Sequence, residues 1–240
     1  MKRFLKEMRL LLDSCRLLVA GCWLLVTRNQ KPGTRNRFLT GYCLLLTANC
    51  LLLVGCLTKE KPLPIFGQRD VIGADTVYHT ISKFSFVDQD SAIITNETFK
   101  DKIYVADFFF TSCRTICPIM KTQMLRVYQA TKEMPDILIL SHTIDPEFDT
   151  VALLRDFAQR LDVESKRWHF VTGVKDSIYK VAQTSYFATA IEDKTEPDGF
   201  IHSGAFLLID KKGRIRGKYD GTLEEEVNRL ISDIKRLRRE

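Results

Sequence analysis

An apolar run, Ile103-Tyr104-Val105-Ala106-Asp107-Phe108-Phe109-Phe110, is followed at once by two cysteines spaced four apart, Cys113 and Cys117, and then by Pro118. This junction constrains the fold more than any other part of the chain. A run that is apolar except for Asp107 predicts a strand buried on both faces, which is the central position in a sheet. Pro118 suits the first turn of a helix. Met120, Met124, Val127 and Tyr128 then recur at helical spacing, so Pro118–Lys132 reads as a helix. Positions i and i+4 share a helical face. Two sulfurs held that way can close a disulfide or grip a soft metal ion, and the pattern leaves both open. A helix N-terminus favours a thiolate through its free N–H groups and dipole. That predicts an activated Cys113, with Arg114 adding positive charge.

The rest of the globular part alternates in the same way. Ile81–Val87 and Ile137–Ile144 read as strands, and Trp168–Val171 as a short one. Thr150–Leu161 and Val174–Ser185 read as helices, the first with Asp149 as its expected N-cap. Ala205–Asp210 and Arg214–Tyr219 form a hairpin around Lys211-Lys212-Gly213. Leu223–Arg239 is a terminal amphipathic helix. The alternation predicts an α/β fold, a central sheet covered by helices. A thiol pair at a strand-to-helix turn, with a late hairpin and a last helix, is similar to a thioredoxin-like domain.

Charge and cysteine usage divide the chain. The net charge is +6, but residues 1–61 hold 11 Lys/Arg against 3 Asp/Glu, and residues 62–240 hold 25 against 27. The folded part is slightly acidic, which argues against a general nucleic-acid binder. Cys15, Cys22, Cys43, Cys50 and Cys56 lie in the basic, apolar N-terminal part, and only Cys113 and Cys117 follow it. A lone pair is not a disulfide framework. Residues 38–57 carry no charge and follow Lys31, Arg35 and Arg37. They read as a signal or a membrane anchor, long enough to span a bilayer, with the positive flank kept in the cytoplasm and the remainder exported. Leu53-Val54-Gly55-Cys56 also resembles a bacterial lipobox, which would lipidate Cys56. Met1–Val26 repeat the basic-then-apolar pattern more weakly. The expected organisation is an anchor or lipoprotein signal over 1–57, a tether over 58–74 and a folded domain over 75–240.

A metal site built on two thiolates calls for a third donor, and the chain has four histidines. His79, His142 and His169 read as structural residues in or beside strands. His202 differs, because it ends the polar loop Glu192–Ile201 and directly precedes the apolar strand at Ala205. In a thioredoxin-like sheet that loop end faces the thiol turn. Two thiolates and one imidazole form a soft set suited to Cu(I), with room for another ligand around Cu(II). Zinc accepts the same set but usually takes a fourth ligand. Thioredoxin-like oxidoreductases carry a proline just before the hairpin strand. Ile201-His202-Ser203-Gly204 fills that stretch here, which favours metal binding over general disulfide exchange.

Four motifs in order resemble the SCO/SenC family of membrane-tethered copper chaperones for respiratory oxidase assembly. They are Phe108-Phe109-Phe110-Thr111-Ser112-Cys113-Arg114-Thr115-Ile116-Cys117-Pro118, Thr143-Ile144-Asp145-Pro146-Glu147-Phe148-Asp149-Thr150, Lys166-Arg167-Trp168-His169-Phe170-Val171-Thr172-Gly173, and His202-Ser203 ahead of Phe206-Leu207-Leu208-Ile209-Asp210. The similarity covers about residues 75–238. It implies copper held by Cys113, Cys117 and His202, and it maps a family Asp onto Asp145, which by itself reads either as a strand-end turn residue or as a group that orients the site. It also implies a terminal oxidase copper-site subunit and a copper donor protein as partners, and a membrane-anchored place on the extracytoplasmic, periplasmic face of a bacterial envelope. Many members have proline where this chain has Arg114. Two activities are compatible with the resemblance. One is delivery of copper to the binuclear copper site of an oxidase. The other is thiol-disulfide exchange that keeps the oxidase's copper-ligating cysteines reduced, with Cys113, as the more exposed thiol, attacking and Cys117 resolving.

Overall fold

The computed structural model describes residues 61–73, 75–193, 200–202 and 204–240. The candidate anchor over 1–57, with its lipobox Cys56, lies outside the described residues. At the centre of the remaining unit, residues 62–240, two buried strands run parallel: β5 (Ile103–Phe109) and β6 (Ile137–Thr143). Their seven residue pairs stay in step from Ile103↔Ile137 to Phe109↔Thr143. That register sets Asp107 opposite Ser141, whose hydroxyl donates to the carboxylate. The one charged residue in the apolar run is thereby satisfied inside the sheet, as a buried polar group must be.

Around this pair a seven-stranded mixed sheet runs in the order β11-β10-β5-β6-β7-β3-β4. β7 (Trp168–Thr172) is parallel to β6, while β3 (Ser85–Asp88), β4 (Ile93–Thr95), β10 (Ala205–Ile209) and β11 (Ile215–Asp220) pair antiparallel. The connection β5–helix–β6–helix–β7 is carried by α1 (Cys117–Ala130) and α2 (Val151–Arg160). Both pack on one face, where Tyr128 of α1 meets Trp168 and Phe157 of α2 meets Phe109 and Phe170. The residues after α3 (Lys175–Thr184) cover the other face, with Tyr186 against Phe108. The final helix, α4 (Glu224–Arg239), begins with three glutamates and ends with three arginines, which complements the helix dipole at both ends.

The β10–β11 hairpin turns at Lys211-Lys212-Gly213 as expected. Asp210 accepts the N–H groups of Lys212 and Arg214, and Gly213 takes φ +72°, which a glycine adopts without strain. Elsewhere the structure departs from expectation. β3 begins at Ser85, because Ile81 and Phe84 are buried core residues on an irregular segment whose backbone bonds to Gly213 and Asn96. A short hairpin of β1 (Arg69–Ile72) and β2 (Asp75–Tyr78) occupies part of the stretch read as a tether. A second small hairpin joins β8 (Ala190–Glu192) to β9 (Phe200–His202). Both hairpins are short and largely exposed where described, so they lack the apolar period that marks a strand in a sequence. The N-cap of α2 is Thr150, whose hydroxyl accepts from the Leu153 N–H, and not Asp149. Among the described residues no helix is long and apolar enough to cross a membrane.

Candidate metal centre

The thiol pair sits where β5 ends and α1 begins, but not as two positions on one helix. The helix starts at Cys117, with Pro118 in its first turn, and Cys113 lies in the preceding turn, where its N–H donates to the Phe110 carbonyl at 3.3 Å. The turn, not an i,i+4 helical face, brings the two sulfurs together. Neither is in a disulfide, and a hydrogen bond links the two thiols. They are equally buried, each 8% exposed, so the expectation of a more exposed Cys113 does not hold. The Cys113 sulfur also lies 3.5 Å from the Thr115 hydroxyl.

The helix terminus falls on the other cysteine from the one expected. Cys117, and not Cys113, occupies the first helical position. Its pKa is raised far above the ordinary thiol value, first by the hydrogen bond with Cys113 and then by burial, which disfavours the charged form. Arg114 is exposed on the turn. In the absence of a ligand Cys117 is therefore held as a thiol. A metal ion bound there would have to displace the Cys117 proton, as soft-metal binding to thiols does.

Both cysteines line a small cavity of about 30 Å³ together with Thr111, Lys121 and the Asp107–Ser141–Trp168 group. In that group the Trp168 indole N–H donates to Ser141, and Ser141 donates to Asp107. The walls are aromatic, with Phe109, Phe157 and Phe170. Two buried sulfurs at one space with aromatic walls fit a soft cation better than a hard one.

The backbone of His202 is placed beside this turn by its neighbours. His202 ends β9, paired with Ala190. Two residues earlier, Phe200 packs its ring 5.0 Å from that of Phe110, three residues before Cys113. Two residues later, Gly204 lies against Ile116, the residue before Cys117: a methyl group on Gly204 would stand 3.6 Å from the Ile116 side chain. The structure does not describe the imidazole itself.

The other three histidines have places of their own. His79 bonds the Ser185 carbonyl at 2.8 Å, and His169 pairs with Asp88 at 3.0 Å. His142 pairs with Phe108 across the strands, one step on from Asp107↔Ser141, so its ring lies on the opposite face from the thiol cavity. There it is enclosed by Phe84, Phe86, Phe108 and Tyr186.

Asp145 lies outside the cavity lining, half-buried on the loop after β6. Burial raises its pKa, opposed by a backbone hydrogen bond from Phe148 and by the charge of Lys175. Lys175 in turn bonds Glu192 at 2.5 Å. The carboxylate that does reach the thiol turn is Asp149, which accepts from Thr111 and Thr143. Sequence reading assigned it to a helix cap. The signal available was the pair of threonines at matching strand ends, each able to donate to a carboxylate from the next loop.

Comparison with known proteins agrees with this architecture. The SCO1/SenC family model matches residues 73–239. A SCO1 protein homolog of Bacillus subtilis is 30% identical over 162 residues, covering 67% of this chain and 84% of that protein. The crystal structure of a SCO1/SenC family lipoprotein from Bacillus anthracis superimposes with a TM-score of 0.62 at 30% identity, over 66% of this chain and 95% of that one. BsSco, described as a member of the Sco family of cytochrome c oxidase assembly proteins with a disulfide switch, superimposes with a TM-score of 0.59 at 31% identity, over 65% and 92% of the two chains. Bradyrhizobium japonicum ScoI, solved with copper bound, shares the fold at a TM-score of 0.55 and 24% identity, over 66% and 99%. With the family model spanning residues 73–239, most of its length, the chain belongs to the SCO1/SenC family.

Proposed function

We propose that this protein is an extracytoplasmic copper metallochaperone that delivers copper to the binuclear copper site of a respiratory terminal oxidase. The observation that carries the reading is the pair of equally buried, hydrogen-bonded thiols lining one cavity with aromatic walls. Cys113 and Cys117 would hold the cargo ion as thiolates and His202 as an imidazole, a soft donor set matched to Cu(I). Asp145 would act from outside the cavity by ordering its loop. The copper-bound ScoI relative and the oxidase-assembly role named for BsSco support this assignment. In this reading residues 1–57 anchor the protein at the membrane, as a lipoprotein lipidated at Cys56 or as a spanning helix. Residues 58–74 lead from that anchor to the 75–240 domain on the periplasmic face. The B. anthracis lipoprotein relative supports the first form of anchor. The copper donor and the oxidase's copper-site subunit are the partners.

The hydrogen-bonded thiols, together with the disulfide switch named for BsSco, favour a second activity at the same site. One thiolate attacks a partner's disulfide to form a mixed disulfide. The other displaces it, releasing the partner as a dithiol and leaving Cys113–Cys117 oxidised, with two electrons and two protons passed on.

Cu(I) titration of the reduced 62–240 unit beside its His202→Ala variant tests the primary reading. The expected result is one copper per chain, lost in the variant. Absent or unaltered binding would sink the three-ligand site and leave a redox dithiol.

A further inference from the structure

The loop after β6 carries a carboxylate whose bonds all lead away from its own helix. Asp149 is fully buried, and Thr150, not Asp149, caps α2. The Asp149 side chain accepts the Thr111 N–H at 3.1 Å, the Thr111 hydroxyl and the Thr143 hydroxyl. Thr111 stands two residues before Cys113 and lines the thiol cavity. Thr143 ends β6, and its hydroxyl also accepts the Asp145 N–H at 3.0 Å. The Asp149 N–H closes the loop by donating to the Asp145 carbonyl at 2.8 Å. Burying a carboxylate is costly unless its lone pairs are occupied, and here two of the three donors belong to the thiol turn. Hydrogen bonds to an ionised acceptor are also stronger than neutral ones.

We propose that Asp149 is a positioning residue for the thiol pair, holding the turn that carries Cys113 through Thr111 so that both sulfurs face one cavity. Cys117 has its own support as the first residue of α1, so Asp149 acts on one sulfur and not the other. Pre-placing both donors removes an ordering cost from whatever the pair binds or attacks. The inference rests on the pair being the functional site, whether for copper or for disulfide exchange.

The test uses the full chain in detergent, reduced and treated with a chelator, as wild type, Thr111→Val, Thr111→Ser and Asp149→Asn. Each is pulsed with iodoacetamide and digested with trypsin. Cleavage after Lys102, Arg114 and Lys121 puts Cys113 and Cys117 on separate peptides, so mass spectrometry reads each rate alone. A urea midpoint is measured on each preparation. Alkylation needs the turn to open, and one lost hydrogen bond of roughly 1 kcal/mol raises the open fraction about fivefold. Thr111→Val and Asp149→Asn are therefore expected to speed Cys113 by about fivefold or more and to leave Cys117 within about twofold. Thr111→Ser, which keeps the hydroxyl, stays near wild type. Unchanged Cys113 rates, acceleration of both cysteines in step with a lowered urea midpoint, or a serine variant that behaves like valine would each overturn the proposal. If Asp149→Asn does not fold, the two threonine variants decide the matter. No copper enters this assay, so failure of the copper reading appears in the Cu(I) titration instead.

Discussion

His142 makes the stability of this domain depend on pH in a defined window. The ring is fully buried in β6, and neither nitrogen has a hydrogen-bond partner among the described residues. Phe108 stacks on it at 5.0 Å, Phe86 and Phe84 meet it edge-on at 5.5 and 5.9 Å, and Tyr186 lies at 5.4 Å. Of these only Tyr186 is ionisable, and burial pushes its pKa well above the ordinary tyrosine value, so it stays neutral. Burial pushes the His142 pKa down to about 3, from the 6.5 of an exposed imidazole. The folded state thus keeps the ring neutral, while the unfolded chain takes up a proton below about pH 6.5. The stabilisation is fully present above pH 6.5 and is lost progressively as the pH falls toward 3. At 1.36 kcal/mol per unit, going from pH 7.5 to pH 5 costs about 2 kcal/mol from this residue alone. Urea unfolding of the reduced 62–240 unit and its His142→Leu variant across that range isolates the effect, because the other titrating groups are common to both. Leucine is close in volume and removes two unsatisfied nitrogens, so the variant is expected to match or exceed wild type at pH 5. The difference between the two proteins should shift by about 2 kcal/mol in the variant's favour between pH 7.5 and 5. Parallel pH profiles would refute the argument.

Two further perturbations follow from particular contacts. Arg216, only 5% exposed, donates to the Leu63 and Pro64 carbonyls at 2.7 and 3.0 Å and pairs with Asp210 and Glu240. Arg216→Met removes a buried cation from Glu240 and from Asp210, which keeps Arg214, and releases the Leu63 and Pro64 carbonyls. A loss of about 3 kcal/mol or more is expected in urea unfolding, with faster tryptic cutting after Lys61. A methyl group on Gly217 would run into the ring of Tyr219, which is buried and fixed by its hydroxyl bond to Asp233 at 2.8 Å. Gly217→Ala should therefore cost about 1–3 kcal/mol in a thermal melt; an unchanged midpoint would mean the ring can move aside.

The central architecture was legible because its signals are local. A short, nearly continuous apolar run rich in β-branched and aromatic residues fits an inner strand, and β5 and β6 are buried at every position. The buried residues of α1, namely Met120, Met124, Val127 and Tyr128, are the ones the helical spacing selected. The edge elements were not legible. β1, β2, β8 and β9 bury little where described, so nothing in their residue pattern separates them from loop.

At the site the same division holds. Residue type and spacing alone identified Cys113 and Cys117 as a pair at a strand-to-helix turn, because thiols, an inner strand and a proline-started helix each leave a mark within a few residues. Which cysteine begins the helix, how deeply each is buried and what sets the Cys117 pKa, first the facing sulfur and then burial, depend on how the turn folds and packs. The role of Asp149 depends on two threonines 38 and 6 residues away. Those distances close only when β5 and β6 align in register, so the partners of these groups were decided by the tertiary structure, since a hydrogen bond is short-ranged in space and indifferent to separation along the chain.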